Sequence, residues 1–268
     1  MTGTLLPGVS PLLELRSVSV SFDGFWALSD LNLTLAPGEL RAVIGPNGAG
    51  KTTFLDVITG KVKPTKGDVF FRGRSLVGTP EHKIARLGIG RKFQTPRVYE
   101  NLTPRRNLEL AVSQRNGPFD LLLGGLDGNS RDKVQKLLAV VGLEAHANER
   151  AGGLSHGQKQ WLEIAMLVAQ DPDLLLVDEP VAGLTDEETK RTSDLLKQLA
   201  GDHTVLVIEH DMEFIRDLES PVTVLHEGHV LCEGPMDQVQ NDPKVIEVYL
   251  GSETEEEVEA HGAEGIDP

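Results

Sequence analysis

A chain of 268 residues, 39% hydrophobic and 25% charged, has the composition of a folded globular protein with room for one large core or two modest ones. Its aliphatic runs, such as Leu174 to Val177, stay far short of the ~18–20 apolar residues that span a bilayer, and its first residues lack the charge and apolar stretch of a secretory signal. A net charge of −15 argues against a nucleic-acid footprint, and a single cysteine, Cys232, precludes an internal disulfide and fits a reducing cytoplasm.

Leu13 to Phe22 and Leu31 to Leu35 alternate apolar and polar residues, which predicts half-buried strands. Glu39 to Gly45 reads as a more continuous strand running into a glycine-rich turn, followed by a helix from about Lys51 to Gly60 and a strand at Asp68 to Arg72. No helical crossover separates these early strands, so an antiparallel element is expected. The stretch from Gln94 to Gln170 reads mostly as helix. Its candidates are Pro104 to Gln114, Arg131 to Val141 and Gly157 to Gln170, with Asn116 to Ser130 as a loop. From Leu174 the pattern becomes strand, helix, strand (Leu174 to Asp178, Asp186 to Leu199, Thr204 to Ile208), which predicts a parallel sheet covered by helices. Val222 to His226 and His229 to Glu233 are short strands flanking a turn at Glu227-Gly228. Residues 11–250 are expected to form one domain, with a helical subdomain over about 95–170. In the remainder, 251–268, Glu253 to Pro268 hold seven acidic groups and no lysine or arginine. Without those sixteen residues, 34 of the 41 acidic residues remain against 26 basic ones, a net of −8. Such a self-repelling, apolar-poor tail is expected to be disordered.

Gly45-Pro46-Asn47-Gly48-Ala49-Gly50-Lys51-Thr52-Thr53 fits the phosphate-loop pattern G-x-x-x-x-G-K-[ST]. Glycines let the backbone curl so that successive N–H groups converge on phosphate oxygens, and a helix starting near Lys51 points its positive end at the same anion. Lys51 adds a full charge at the β- and γ-phosphates, and the Thr52 hydroxyl is placed to coordinate magnesium. The loop therefore predicts binding and hydrolysis of ATP with Mg2+.

Leu175-Leu176-Val177-Asp178-Glu179-Pro180 ends a buried strand on two carboxylates, where ligands sit in α/β folds. Asp178 is expected to hold magnesium and Glu179 to polarise the attacking water. His210, after the next strand, is placed to reach the γ-phosphate. Leu154-Ser155-His156-Gly157-Gln158-Lys159-Gln160 puts a Ser and a Gly just before a helix, a second anion-binding helix start.

These pieces in this order resemble the ATPase subunit of ATP-binding-cassette (ABC) transporters: the Walker A loop at 45–52, Gln94, the signature at 154–158, Walker B at 174–178, then Glu179 and His210. The resemblance covers roughly residues 11–250. It implies an α/β fold with a P-loop (RecA-like) ATPase core, an antiparallel β subdomain and an α-helical subdomain. It further implies that Gln94 contacts magnesium and the attacking water and senses the membrane partner. Phe22, with Phe25 and Trp26 close by and a core role also open to it, falls where the family stacks an aromatic on adenine. Ser155 and Gly157, with Gln158, would bind ATP held by the opposite subunit. Two departures stand out. The signature's second position, usually glycine, is His156, and the family's aspartate after Walker B falls on Thr185, with Asp186 one residue late. Thr185-Asp186-Glu187-Glu188 also reads as a helix capping box, the reading favoured here for Thr185.

Arg91-Lys92-Phe93-Gln94, Glu209-His210-Asp211-Met212 and Val245-Ile246-Glu247-Val248-Tyr249-Leu250-Gly251 resemble the branched-chain amino-acid importer ATPases. Within that group Ser155 to Ile164, Ala182 to Thr189 and Glu100 to Thr103 are most similar to ATP-binding subunits of urea importers. That implies urea as cargo, with a branched-chain amino acid or a short amide as the alternative. It also implies a heterodimer with a second cassette ATPase, two membrane permease subunits and an extracytoplasmic binding protein, at the cytoplasmic face of the membrane. A non-transport cassette ATPase would carry two cassettes or long coiled-coil insertions. A degenerate cassette would lack Glu179 or His210, and both are present.

Overall fold

The computed structural model describes residues 10–92, 97–116 and 127–248. In chain order the elements are β1 (Leu13–Phe22), β2 (Phe25–Leu35), β3 (Leu40–Ile44), α1 (Lys51–Ile58), β4 (Lys66–Phe71), β5 (Arg74–Ser75), α2 (Glu81–Arg86), β6 (Ile89–Lys92), α3 (Pro104–Asn116), α4 (Gly128–Val140), α5 (His156–Val168), β7 (Leu174–Asp178), α6 (Asp186–Leu199), β8 (Thr204–Ile208), α7 (Met212–Asp217), β9 (Val222–His226), β10 (His229–Gly234) and α8 (Met236–Val239). They divide into two compact units: Met1–Ala36, Arg41–Glu81 and His210–Pro268 form one, Pro37–Leu40 and His82–Glu209 the other. Among the described residues no helix is long and apolar enough to cross a membrane.

In the first unit β1 and β2 form a hairpin closed by Asp23 and Gly24, both at positive φ (49° and 90°), the backbone of a type I′ turn that suits the right-handed twist of paired strands. Asp-Gly between two runs is the strongest short hairpin signal. The second strand accordingly starts at Phe25, six residues before the Leu31 expected from alternation. The alternation is broken because each strand carries a bulge. Four residues of β1 (Leu15 to Val18) face three of β2, four of β2 (Leu28 to Leu31) face three of β1, and nearer the turn three of β2 (Trp26 to Leu28) face two of β1 (Val20 and Ser21). The first two one-residue slips compensate, so Leu13, Leu15, Val18 and Val20 are all buried, as are Leu28, Leu31, Leu33 and Leu35. β4 pairs with β1 and β5 with β4, all antiparallel, in the order β2-β1-β4-β5, as expected for this part of the chain.

The same unit holds β9, parallel to β3 and antiparallel to β10. Arg41 on β3, Thr223 on β9 and Glu233 on β10 meet in the interior. The Arg41 guanidinium donates to Glu233 Oε1 (2.7 Å) and Thr223 Oγ1 (2.9 Å), and the Thr223 hydroxyl donates to the same carboxylate oxygen at 2.9 Å. This polar tie fixes the strand that feeds the phosphate loop.

In the second unit β6, β7 and β8 are parallel, paired from Ile89↔Leu174 and Leu174↔Thr204 onward. Strands β7 and β8 are buried along their whole length, which is why their sequences read as continuous apolar runs rather than alternating ones. Helix α3 packs on α4 and α5. The buried residues recur at helical spacing: Leu108, Ala111 and Val112; Val134, Leu137 and Leu138; Trp161, Ile164, Ala165 and Val168. Helix α4 begins at Gly128, three residues ahead of the expected Arg131, because Asp127 caps it by accepting from the Ser130 amide at 2.8 Å. The trailing part of the stretch expected to be loop is therefore helix. Its positions 117–126, like Gln94 and the acidic tail, lie outside the described residues.

Candidate functional site

Each glycine of the phosphate loop has a local reason. A Cβ on Gly45 would meet Leu225 O, well inside contact distance, and one on Gly50 would lie 2.6 Å from Ala27 O. Gly48 and Gly50 sit at φ 78° and 97°, where a side chain is strained. Gly50 is the N-cap of α1, so the loop's turn and the helix's positive end arrive together. The Gly228 amide donates to Ala49 O (3.1 Å), tying the loop to the β9–β10 turn. Lys51 folds back over the loop, its Nζ donating to Gly45 O (2.6 Å) and Pro46 O (3.0 Å). Thr52 is exposed at the helix start and Thr53 half-buried. A cavity of about 610 Å³ opens beside the loop, lined by Pro46 to Ala49, His226, Glu227 and Leu231, and by Lys244, Glu247 and Val248 near the C-terminal end of the described chain.

Phe22, Phe25 and Trp26 are 47%, 69% and 42% exposed around the hairpin turn. A core role for Phe22 is thereby excluded, and all three aromatics present open ring surface. His210, the first residue of the last segment of the first unit, is exposed.

In the second unit Asp178 ends β7 and Glu179 follows with φ 44°, a left-handed backbone that costs a non-glycine residue about 1–2 kcal/mol. The Glu179 amide donates to Ile208 O (2.9 Å), holding the chain in this sharp exit from the strand. Such strain at the residue read as catalytic is what a preorganised site carries. Asp178 Oδ2 accepts from the Arg91 guanidinium at 3.1 Å. Burial pushes the Asp178 carboxyl above the ordinary range, opposed by Arg91. Lys92, fully buried, has its ammonium pushed down by burial against the pull of Glu163 and Asp178. Glu163 is pushed up by its own burial and accepts from the Arg97 amide at 3.1 Å. Glu209, buried at the end of β8, accepts from the Val181 amide (3.0 Å) and so anchors the loop that leaves Glu179.

Arg91, Lys92, Glu163 and Glu209, which lie in stretches quoted for the family resemblance, were given no site role by the sequence reading. The available signal was Arg91-Lys92 directly before Gln94 and Glu209 directly before His210, charged neighbours whose burial only the parallel pairing reveals. Among the described residues no group of three His, Cys, Asp or Glu side chains could hold a resident metal ion. Taken singly, Asp178 in the second unit offers a buried carboxylate and Thr52 in the first an exposed hydroxyl, both of the oxygen-ligand type that magnesium takes.

Ser155 is the N-cap of α5 in a full capping box: its Oγ accepts from the Gln158 amide (3.2 Å), and Gln158 Oε1 accepts from the Ser155 amide (2.9 Å). Gln158 thus has a structural task at this helix start. His156, where the family has glycine, occupies the first helical position and pairs with Gln160 at 3.0 Å. Gly157 is buried against the Glu188 carboxylate. Thr185 is the N-cap of α6, its box closed by Glu188. Trp161 joins the two helices: its indole N–H donates to Thr192 Oγ1 (2.9 Å) and its ring lies under the Arg191 guanidinium at 4.2 Å.

A phosphate loop on a strand, a carboxylate pair ending a parallel strand and a capped signature helix define a nucleotide-hydrolysing cassette. The family profile of ABC transporters matches residues 28–182, and that of the branched-chain amino acid ATP-binding cassette transporter matches residues 229–255. The high-affinity branched-chain amino acid transport ATP-binding protein LivG of Escherichia coli is 38% identical over 250 residues, covering 90% of this chain and 98% of LivG. BraF of Pseudomonas aeruginosa, of the same description, is 36% identical over 252 residues, with 90% and 98% covered. The crystal structure of the ADP conformation of an ATP-binding cassette of an ABC transporter matches with a TM-score of 0.79 at 28% identity, covering 90% of this chain and 99% of that one. A nucleotide-free cassette matches with a TM-score of 0.76 at 28% identity, with the same coverage.

The chain belongs to the ABC transporter family of ATPases. Within it the chain groups with the ATP-binding subunits of branched-chain amino-acid transporters, and its activity is ATP hydrolysis.

Proposed function

We propose that this chain powers an importer whose cargo is a branched-chain amino acid. The observation that carries the reading is the near full-length similarity to LivG and BraF, together with the match of the branched-chain cassette profile at residues 229–255. Urea, placed first on short sequence stretches, gives way to the alternative named beside it, because those stretches lie in the ATPase machinery and touch no cargo. A short amide stays as the second reading.

In the proposed cycle the loop Gly45 to Thr53, through its backbone N–H groups other than at Pro46, and the Lys51 ammonium bind the phosphates, and Phe22 stacks on adenine. Thr52 and Asp178, with Gln94, are the residues that would hold Mg2+, whose charge offsets that developing on the transferred phosphoryl group. Glu179 accepts a proton from the attacking water, and His210 donates to the γ-phosphate. Ser155 and Gly157, with Gln158 supporting them, close over ATP held by the opposite subunit. Two half-sites then make one composite site, and hydrolysis reopens it. The partners are a second cassette ATPase, two membrane permeases and an extracytoplasmic binding protein. They place the chain at the cytoplasmic face of the membrane, mostly monomeric and weakly active when alone.

The test uses the assembled transporter in vesicles with its binding protein. ATP hydrolysis is expected to rise severalfold with leucine, isoleucine or valine and to stay flat with urea. Stimulation by urea alone would overturn the cargo assignment and leave the ATPase assignment standing.

A further inference from the structure

The starts of α5 and α6 share one carboxylate. Glu188 Oε2 accepts from the Thr185 amide (3.2 Å) and the Thr185 hydroxyl (3.3 Å), completing the capping box of its own helix. Its other oxygen, Oε1, reaches across to α5 and accepts from Ser155 Oγ at 3.1 Å. The approach is close: a Cβ on Gly157 would stand 2.6 Å from the same Oε1. The backbone beneath is pinned, because the Thr192 hydroxyl donates to Glu188 O (2.8 Å) while accepting from the Trp161 indole N–H (2.9 Å). The amide and hydroxyl donors around the Glu188 carboxyl hold it below the usual carboxylate range, so it is an anion at neutral pH.

A serine hydroxyl has one proton to give. The Ser155 oxygen already accepts from the Gln158 amide, which sets its rotor, and its proton goes to Glu188. A phosphate oxygen arriving at the start of α5 needs that same proton and meets a negative charge already there. The positive end of the helix cannot serve both anions equally.

We propose that Glu188 is an internal stand-in for the γ-phosphate, holding the signature helix start until nucleotide displaces it and thereby setting the ATP concentration at which the cassettes close. It acts through Ser155, as a positioning residue. The inference rests on the reading that Ser155 and Gly157 meet ATP of the opposite subunit. The carboxylate keeps its hold on Thr185 when it yields Ser155, so the exchange pulls on the loop between Glu179 and α6.

Glu188→Gln separates charge from cap, since glutamine also closes a capping box. In the assembled transporter, ATP titration of hydrolysis is expected to show half-saturating ATP lowered about three- to tenfold, as loss of one charged hydrogen-bonding competitor implies, with much less change in kcat. Glu188→Asp, one methylene short of Ser155, is expected to move half-saturating ATP in the same direction by less, and gives a second reading should the glutamine variant misfold. Ser155→Arg is expected to abolish coupled hydrolysis. Unchanged or raised half-saturating ATP in the Glu188 variants, with Ser155→Arg inactive, would overturn the inference alone. Full activity of Ser155→Arg would overturn the composite-site reading beneath it.

Discussion

At the scale of single residues, removing one partner of a buried hydrogen bond strands the group that it held. Thr192, fully buried, is the acceptor for the Trp161 indole and a donor to the backbone of its own helix. Thr192→Val keeps the shape and strands that N–H, at a cost of about 1–3 kcal/mol. The expected drop in melting temperature is about 2–4 °C for each kcal/mol. An unchanged melting temperature would show that the indole finds another acceptor. Where residues carry a motif, their place in the fold was legible from sequence: the loop from Gly45 ahead of a helix at Lys51, Asp178 and Glu179 at a strand end, and Ser155 and Thr185 at helix starts. Residues defined by what surrounds them were not. Lys92 and Glu209 look like ordinary surface charges in a sequence, and only parallel pairing with apolar neighbours buries them among opposite charges.

At the scale of elements, the three-strand tie of Arg41, Thr223 and Glu233 decides how firmly β3 presents the phosphate loop. Both charged side chains are more than nine-tenths buried. Glu233→Ala removes the carboxylate that Arg41 and Thr223 both address and is expected to cost about 3–5 kcal/mol, read as a lower denaturant midpoint. Replacing both charges, Arg41→Met with Glu233→Leu, is expected to recover most of that loss, because a matched apolar pair leaves no charge stranded. A single variant as stable as the parent would contradict the account. Long buried strands and capped helices were readable because period and cap chemistry repeat over many residues. The β1–β2 hairpin was read short, since three one-residue register shifts broke its alternation. Strand β6 was missed outright, being four residues long and ending on two charges.

At the scale of the whole molecule, the proposed cycle assigns one activity to residues far apart in the chain: a loop at 45–53 in the first unit, carboxylates at 178 and 179 and a signature start at 155–158 in the second. Six ordered motifs made the class legible from sequence, because phosphate chemistry demands particular residue types at fixed spacing. The cargo was not legible, because no residue of this chain needs to contact it. The claim on which everything else stands is hydrolysis of ATP at Glu179, and the direct measurement is ATP affinity and phosphate release for two variants side by side. Glu179→Gln is expected to bind ATP like the parent and to lose about 10²- to 10⁴-fold in turnover, the loss of a general base, while Lys51→Ala weakens binding itself. Near-normal phosphate release by Glu179→Gln would contradict the account.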